Sequence, residues 1–516
     1  MRYRVMPRVL LNEIISEKKF QDMIMKQSAE NHEFKKDLGL LDSTMIVIGS
    51  MIGSGIFIVS ADIARTVGSP GYLLLVWFIT GIITLTAALS YGELAGMMPR
   101  AGGQYVYLRE AFGPLVGFLY GWTLFLVIQT GTISAVAMAF AKFTAVLVPS
   151  LGEGTLIATL GPLRISASHC VAITSILLLT GVNLRGIHGG KLLQDAFTAA
   201  KVAALLGLIL LGLFLGRNSE ALAANISGIW EASWSRLTPE GIVSVEPLSG
   251  IALAAAIGVA MVGSLFSSDA WFNITFIAAE VKNPRRNIPL SLALGTGAVC
   301  LIYLLANVAY LMLLPLSGDP AAAGVLGRGI QFAVNDRVGT AAAQVIFGTP
   351  GTIVMALLIM VSTFGCNNGI ILSGARAYYA MARDGLFFRG AGKLNGRGVP
   401  GIALAVQAAW ACALCLTGTY NELLDYVIFA VLLFYALTVT GIFILRRNKP
   451  LEERPYRALG YPVVPFMYIV AAIAISIDLL VLKPKYTWPG LIIVALGVPV
   501  YFLWRRKNLP VVKEEK

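Results

Sequence analysis

The stretch IGSMIGSGIF, Ile48–Phe57, lies inside the first long apolar segment of the chain and sets three glycines and two serines where a spanning helix would hold leucines. Gly49 and Gly53 are four residues apart, share one helix face, and could simply let a neighbouring helix approach. Gly55 follows Gly53 by two residues, about 200° further round, so it serves no such face, and each glycine costs a helix about 1 kcal/mol against alanine. An interruption of the helix accounts for all three. In hydrocarbon an interruption leaves costly bare N–H and C=O groups, tolerated only beside a wet cavity or a ligand. The break therefore predicts a site. The half-helix after Gly55 points N–H groups and a positive dipole end at an anion, and the half ending near Ile52 offers carbonyls to a cation. One zwitterion fits both.

The rest of the chain supplies the setting. With 57% hydrophobic and 13% charged residues over 516, it is a polytopic membrane protein without room for a sizeable soluble domain. Apolar runs of about 20 residues, enough to cross ~30 Å of hydrocarbon, recur along it. Twelve are expected, at 44–67, 71–98, 113–147, 162–181, 190–216, 249–279, 288–315, 338–382, 400–418, 421–446, 462–482 and 487–504. Residues 1–43 are charged, with scattered apolar positions, and read as a cytoplasmic tail rather than a signal peptide. The net charge of +12 marks topology, not nucleic-acid binding. Most of the 40 basic residues fall in the tails and in alternate connections such as EVKNPRRN and RRNKPLEERPYR, which the positive-inside rule places, with both termini, in the cytoplasm. The five cysteines, Cys170, Cys300, Cys366, Cys412 and Cys415, lie in or at the edge of these runs, so no disulfide framework is expected and the CALC pair reads as packing.

The sixth run repeats the anomaly of the first. Within AIGVAMVGSLFSSDAWFNITFIAAE, the residues from Gly263 to Asp269 gather a glycine, three serines including Ser267, and an acid in apolar surroundings. Interrupted helices at corresponding places in two halves point to an inverted-repeat transporter holding its substrate near the bilayer midplane. Lys201 lies roughly 16 Å along the fifth run, too deep to snorkel easily, and should face the bundle interior. Its ammonium could merely tie spans together through helix-end carbonyls. Asp269 is also deep; it reads either as a carboxylate near a substrate ammonium or cationic side chain, or as a helix-end residue bonded to local backbone. Glu93, Arg100, Gln104, Glu280, Arg285, Arg286, Arg376, Arg383 and Asp384 flank cytoplasmic ends, as interfacial anchors or as parts of an inner gate whose pairing the sequence does not disclose. NIS at Asn225 matches a glycan acceptor in the longest external loop, whereas NIT at Asn273 lies inside a run.

GSMIGSGIF, SYGELAGMMPRAGGQYVYLREAFGPLVGFLYGW, QDAFTAAKV, AAEVKNPRRNIPLSL and RAYYAMARDGLFF follow in order from about Ser43 to Pro400. In these motifs the chain resembles the amino acid–polyamine–organocation (APC) superfamily of permeases, and most of all its L-type amino acid transporter branch and bacterial relatives. The resemblance implies an all-α membrane protein of twelve transmembrane helices. Residues 44–447 would form a LeuT-like five-plus-five inverted repeat with discontinuous helices 1 and 6, and 448–516 would add helices 11 and 12 and a short cytoplasmic tail. It also implies alternating access in the cell membrane. The backbone N–H groups around Gly53, Ser54 and Gly55 would bind the substrate carboxylate; the carbonyls of Ile52, Phe266 and Asp269 would receive its ammonium; and the Phe266 ring would close over it. Lys201 falls where its ammonium resembles a replacement for a bound sodium ion, which implies sodium-independent transport, by exchange or with a proton that Lys201 releases. Two departures stand out. Ser268, Asp269, Ala270 and Trp271 occupy the place where many relatives have an aromatic residue, Asp, Gly and Trp. The loop PSLGEGTLIATLGPLRIS lacks the cysteine that joins the animal branch to a heavy chain, so no disulfide-linked partner is expected.

An enzyme is not expected. His32, His169 and His188 are too scattered for a metal centre, no HExxH or Walker A pattern occurs, and neither metal nor cofactor is called for. The rivals are a polyamine or organic cation transporter and an amino acid sensor that binds without transporting.

Overall fold

The computed structural model describes residues 36–160, 163–238, 242–417 and 420–508, so most of the expected N-terminal tail and the last residues of the C-terminal one lie outside the described residues. The first apolar run is divided, as its glycines require, into α1 (Leu40–Met51) and α2 (Ser60–Val67). Gly68, at φ +59°, ends α2 in a left-handed turn that a side chain would resist, and Ser69 caps α3 (Pro70–Met97), whose first residue is a proline that needs no N–H partner. A short α4 (Gln104–Phe112) leads to α5 (Pro114–Thr123), which passes through a π turn at Leu124–Ile128 into α6 (Gln129–Leu147). Then come α7 (Ala167–Leu184), α8 (Ile187–Phe214), α9 (Ser219–Ser227) and α10 (Gly250–Ser267). The one-turn α11 (Asn273–Phe276) precedes α12 (Pro284–Leu313), α13 (Val338–Arg383), α14 (Gly401–Cys415), α15 (Tyr420–Asn448), α16 (Val463–Leu482) and α17 (Pro484–Asn508).

Ten helices among the described residues are long and apolar enough to cross a membrane. The first run falls short because it is broken, and the ninth, α14, because it has only 15 residues. The stretch Pro114–Leu147 is central, 83% buried across its most apolar part, whereas α16 and α17 are peripheral at 28% and 22%. Leu177, Leu294, Leu301, Met467 and Val481 are each more than half exposed, as lipid-facing side chains are. α1 packs on α8 and α12, α10 on α2 and α3, and α13 on α6 and α8, which brings the two broken crossings into the middle of the bundle.

Four details differ from the sequence expectation. The helix of the sixth crossing runs on through Ser267 and breaks at 268–272, because Gly263 is a contact glycine: a β-carbon there would lie 2.9 Å from Cβ of Val59 on the approach to α2. Two antiparallel hairpins, Leu156–Leu160 with Leu163–Ser166 and Ser233–Leu237 with Val243–Pro247, lie in connections of a chain expected to be all-α. The fourth span starts later than expected for the same reason, since residues up to Ser166 belong to the first hairpin. Finally, Asn225 is no glycan acceptor. It is buried; its amide nitrogen donates to the Leu311 and Leu314 carbonyls at 2.7 and 2.9 Å, and its oxygen accepts from the Leu316 N–H at 2.7 Å.

Candidate functional site

α1 ends where the Ile52 N–H donates to the Ile48 carbonyl at 2.9 Å. The backbone then turns extended at Ile52, passes Gly53 and Ser54, and makes one tight turn at Gly55–Phe57 before α2. The N–H groups of Gly53, Ser54 and Gly55 have no hydrogen-bond partner among the described residues, although all three residues are buried. Three adjacent bare donors beside a helix N-terminal turn make an anion cradle. Gly55 must be glycine for a further reason: a β-carbon on it would lie 2.7 Å from Cβ and 3.0 Å from Cα of Ser267, the last residue of α10. The two breaks therefore touch at Gly55 and Ser267. Gly55→Ala forces them apart; we expect a loss of about 1–3 kcal/mol from overpacking, read by thermal melting.

The carbonyl end of α1 is fully engaged. Lys201 Nζ, on α8 and 1% exposed, donates to the Gly49 carbonyl at 2.5 Å and to the Ile52 carbonyl at 2.8 Å. From α13, Ser362 Oγ reaches the carbonyls of Ile52 and Gly53 at 3.2 and 3.3 Å, and Cys366 Sγ the carbonyl of Ser50 at 3.0 Å. The Tyr303 hydroxyl, from α12, lies 2.9 Å from the Met51 carbonyl and 3.1 Å from that of Ser267, so its single proton is shared between the two breaks. Tyr303, Ser362 and Cys366 were not singled out in the sequence. Their only signal there is a lone polar side chain in an apolar run, with Ser362 and Cys366 four apart on one face.

At the second break the Phe266 carbonyl accepts the Asp269 N–H at 3.2 Å, and Ala270 takes φ +67°, a left-handed conformation that costs a non-glycine residue about 1–2 kcal/mol. Ala270→Gly is expected to stabilise the protein by about 1 kcal/mol, visible as a higher melting temperature. The Phe266 ring meets the Tyr420 ring edge-on at 6.2 Å, and Tyr420 reaches the Ser54 hydroxyl at 3.2 Å, so these two aromatics roof the breaks. The Asp269 carboxylate is turned to α15, where the Tyr435 hydroxyl donates to it at 2.5 Å. Ser50 Oγ, Asn367 Oδ1 and both amide atoms of Asn273 are buried without a partner among the described residues, which marks the space around the breaks as one that water or a ligand completes.

Ion pairs lie at both ends of the bundle. At the end that carries the basic connections, Arg376 Nε lies 3.0 Å from Glu280 Oε1, both side chains buried, while the Glu280 carbonyl accepts the N–H groups of Asp37 and Leu38 at 3.0 and 3.1 Å. Glu93 accepts two bonds from Arg446, at 2.9 and 2.6 Å, and Asp384 accepts from Arg109 and, at 2.8 Å, from Tyr105. Arg285 pairs with exposed Glu453 and Gln104 bonds Thr438, so these two act as surface and packing anchors. At the opposite end, at the end of α2, Arg65 pairs with Asp336 at 2.7 Å.

A family model described as amino acid permease matches residues 38–502. Large neutral amino acids transporter small subunit 2 of Homo sapiens is 30% identical over 480 residues, 92% of this chain and 82% of that protein. The serine/threonine exchanger SteT of Bacillus subtilis is 28% identical over 484 residues, covering 93% and 99% of the two chains. The b(0,+)-type amino acid transporter 1 of Homo sapiens is 27% identical over 488 residues, covering 93% and 90%.

Proposed function

The chain belongs to the amino acid permease family and is an integral membrane amino acid transporter, and from that premise we propose that it works without sodium, by exchange or with a proton, through alternating access at the paired breaks. One observation carries the site assignment: three bare N–H groups at Gly53–Gly55 stand directly against the second break at Ser267. In this reading the donors take the substrate carboxylate. The ammonium goes to the second break, to the carbonyls of Phe266 and Asp269, since that of Ile52 already accepts Lys201 and Ser362. Sodium independence follows from Lys201, whose fixed charge fills the carbonyl end that a metal cation would otherwise need.

Residues 44–447 form the moving core in this proposal, α16 and α17 lie outside it, and both termini face the cytoplasm of a cell-membrane protein. The chain acts without a disulfide-linked heavy chain: between α6 and α7 it carries a hairpin and no cysteine. Relatives bearing transporter and exchanger names favour transport over the sensor and enzyme alternatives. Counterflow of labelled amino acids into proteoliposomes preloaded with the same amino acids should proceed equally in sodium and choline buffers. Binding without accumulation would make the protein a sensor, sodium stimulation would remove the role given to Lys201, and preference for decarboxylated amines would remove the carboxylate cradle.

A further inference from the structure

We propose that Asp269, paired with Tyr435, is the site that carries a coupling proton through the transport cycle; this rests on the transporter reading above. Asp269 is 6% exposed at the break of the sixth crossing. Its carboxyl group receives a hydrogen bond from the Tyr435 hydroxyl at 2.5 Å. That donor is neutral, and among the described residues no lysine, arginine or histidine pairs with it. A carboxylate buried in a bilayer without a cation is electrically incomplete, and a proton completes it.

Phenols surround it: Tyr435 from α15 bonds it, Tyr468 from α16 lines the same cavity, and the Tyr91 ring of α3 lies 5.6 Å from that of Tyr435. Except for Asp478, whose Oδ2 is buried without a partner among the described residues, the charged residues named here on elements packed against α10 have partners elsewhere. On α2, Arg65 binds Asp336 and Asp62; on α3, Glu93 binds Arg446 of α15; and Asp425 of α15 binds Lys483. Asp478 of α16 lies beside Gly258, eleven residues before Asp269. Against α11, α13 contributes Arg376, which is held by Glu280; α12 contributes Arg285, which is held by Glu453, and the exposed Arg286; and α1 contributes Asp42, bonded to the Gly39 N–H. Beside Asp269 is a cavity of about 20 Å³, large enough for one water, where Thr84, Ser268, Asp269, Tyr435 and Tyr468 stand among apolar side chains such as Leu265, Ile428 and Leu432.

Position gives the proton its consequence. Asp269 stands on the hinge between α10 and α11, next to left-handed Ala270, while Tyr435 stands on a different helix. Any change in the angle between the two halves of the crossing alters the Asp269–Tyr435 bond, and protonation alters it from the other side. In the cycle a proton from outside water joins the carboxylate to form a carboxylic acid, the substrate and proton cross together, and the acid returns the proton to inside water. No other bond is made or broken, and one positive charge moves with each zwitterion.

The test uses purified full-length protein in liposomes with pyranine inside, a potassium–valinomycin clamp, and a mixture of the twenty labelled protein amino acids as probe. The wild type should admit about one proton per amino acid in net uptake. Asp269→Asn should bring that ratio close to zero for whatever uptake remains. Tyr435→Phe, which keeps the carboxyl group, should hold the ratio near one and shift the pH of half-maximal net uptake by half a unit or more. Wild-type net uptake without proton entry, or counterflow with no net uptake, would overturn the proposal and leave the transporter reading standing, whereas absence of counterflow would overturn both. An Asp269→Asn protein that keeps the wild-type ratio, or a Tyr435→Phe protein with an unshifted profile, would also overturn it.

Discussion

Lys201→Met should reduce amino acid exchange by about 100-fold while the protein still inserts into the membrane. Methionine fills much of the same space and removes only the ammonium. The Gly49 carbonyl then loses its side-chain partner, and the Ile52 carbonyl keeps only Ser362 Oγ at 3.2 Å. A buried acceptor left without a partner costs about 1–3 kcal/mol, and the negative end of α1 loses a counter-charge worth up to ~2 kcal/mol in a buried setting. A sum on the order of 3 kcal/mol falls on the one helix end that must hold the first break in place, and each 1.36 kcal/mol is about tenfold in rate. Counterflow in proteoliposomes measures it. Exchange at the wild-type rate in Lys201→Met would show that the ammonium merely ties α8 to α1. Partial recovery of Lys201→Ala by sodium, absent from the wild type, would show that the position is a cation site that the protein has filled with its own side chain.

The first break was legible because glycine is an expensive residue in a spanning helix, and Gly53 and Gly55 cannot share a contact face. The second was legible only to within a few residues. Gly263 and Ser267 carry the composition of a break yet remain helical, the one making room for Val59 and the other bonding the Gly263 carbonyl at 2.8 Å, so the interruption falls after them. The left-handed turn at Ala270 had no glycine to announce it. Beyond Lys201 and its helix-end carbonyls, partnerships were not legible. Tyr303 meets Met51 across 252 positions and Ser362 meets Ile52 across 310, separations over which no local periodicity carries information. The charges flanking the basic connections show the same limit. Glu280 and Arg285 sit five residues apart in one basic motif, but the first is buried against Arg376 and the second is an exposed anchor. The hairpins escaped because their strands, exposed and short, lack the buried alternation by which strands are read.

The largest stability effect is expected at Arg376. Arg376→Met should destabilise the protein by about 3–5 kcal/mol, because Glu280, 2% exposed, is left as a buried carboxylate with its strongest partner gone. Glu280→Leu alone should cost a similar amount by orphaning the guanidinium. The double variant Arg376→Met, Glu280→Leu should recover most of the loss, since an apolar pair of similar volume is often as stable as a buried ion pair. Function should not recover with it. The pair fastens the end of the sixth crossing to α13, and the same residue's carbonyl holds the chain entering α1 through Asp37 and Leu38, with the Lys282 N–H returning a bond to the Leu38 carbonyl at 2.7 Å. Both broken crossings are thus locked at one inner point. An apolar substitute packs there without the directional bond that must break and reform in each cycle, so counterflow in the double variant should stay at or below about one tenth of wild type. A melting-temperature cycle over the four proteins gives the coupling, and single variants that melt with the wild type would remove the pair from any account of inner closure. A double variant that is stable and transports normally would leave the ion pair as packing, and would move the inner gate to Glu93 with Arg446 or to Asp384 with Arg109.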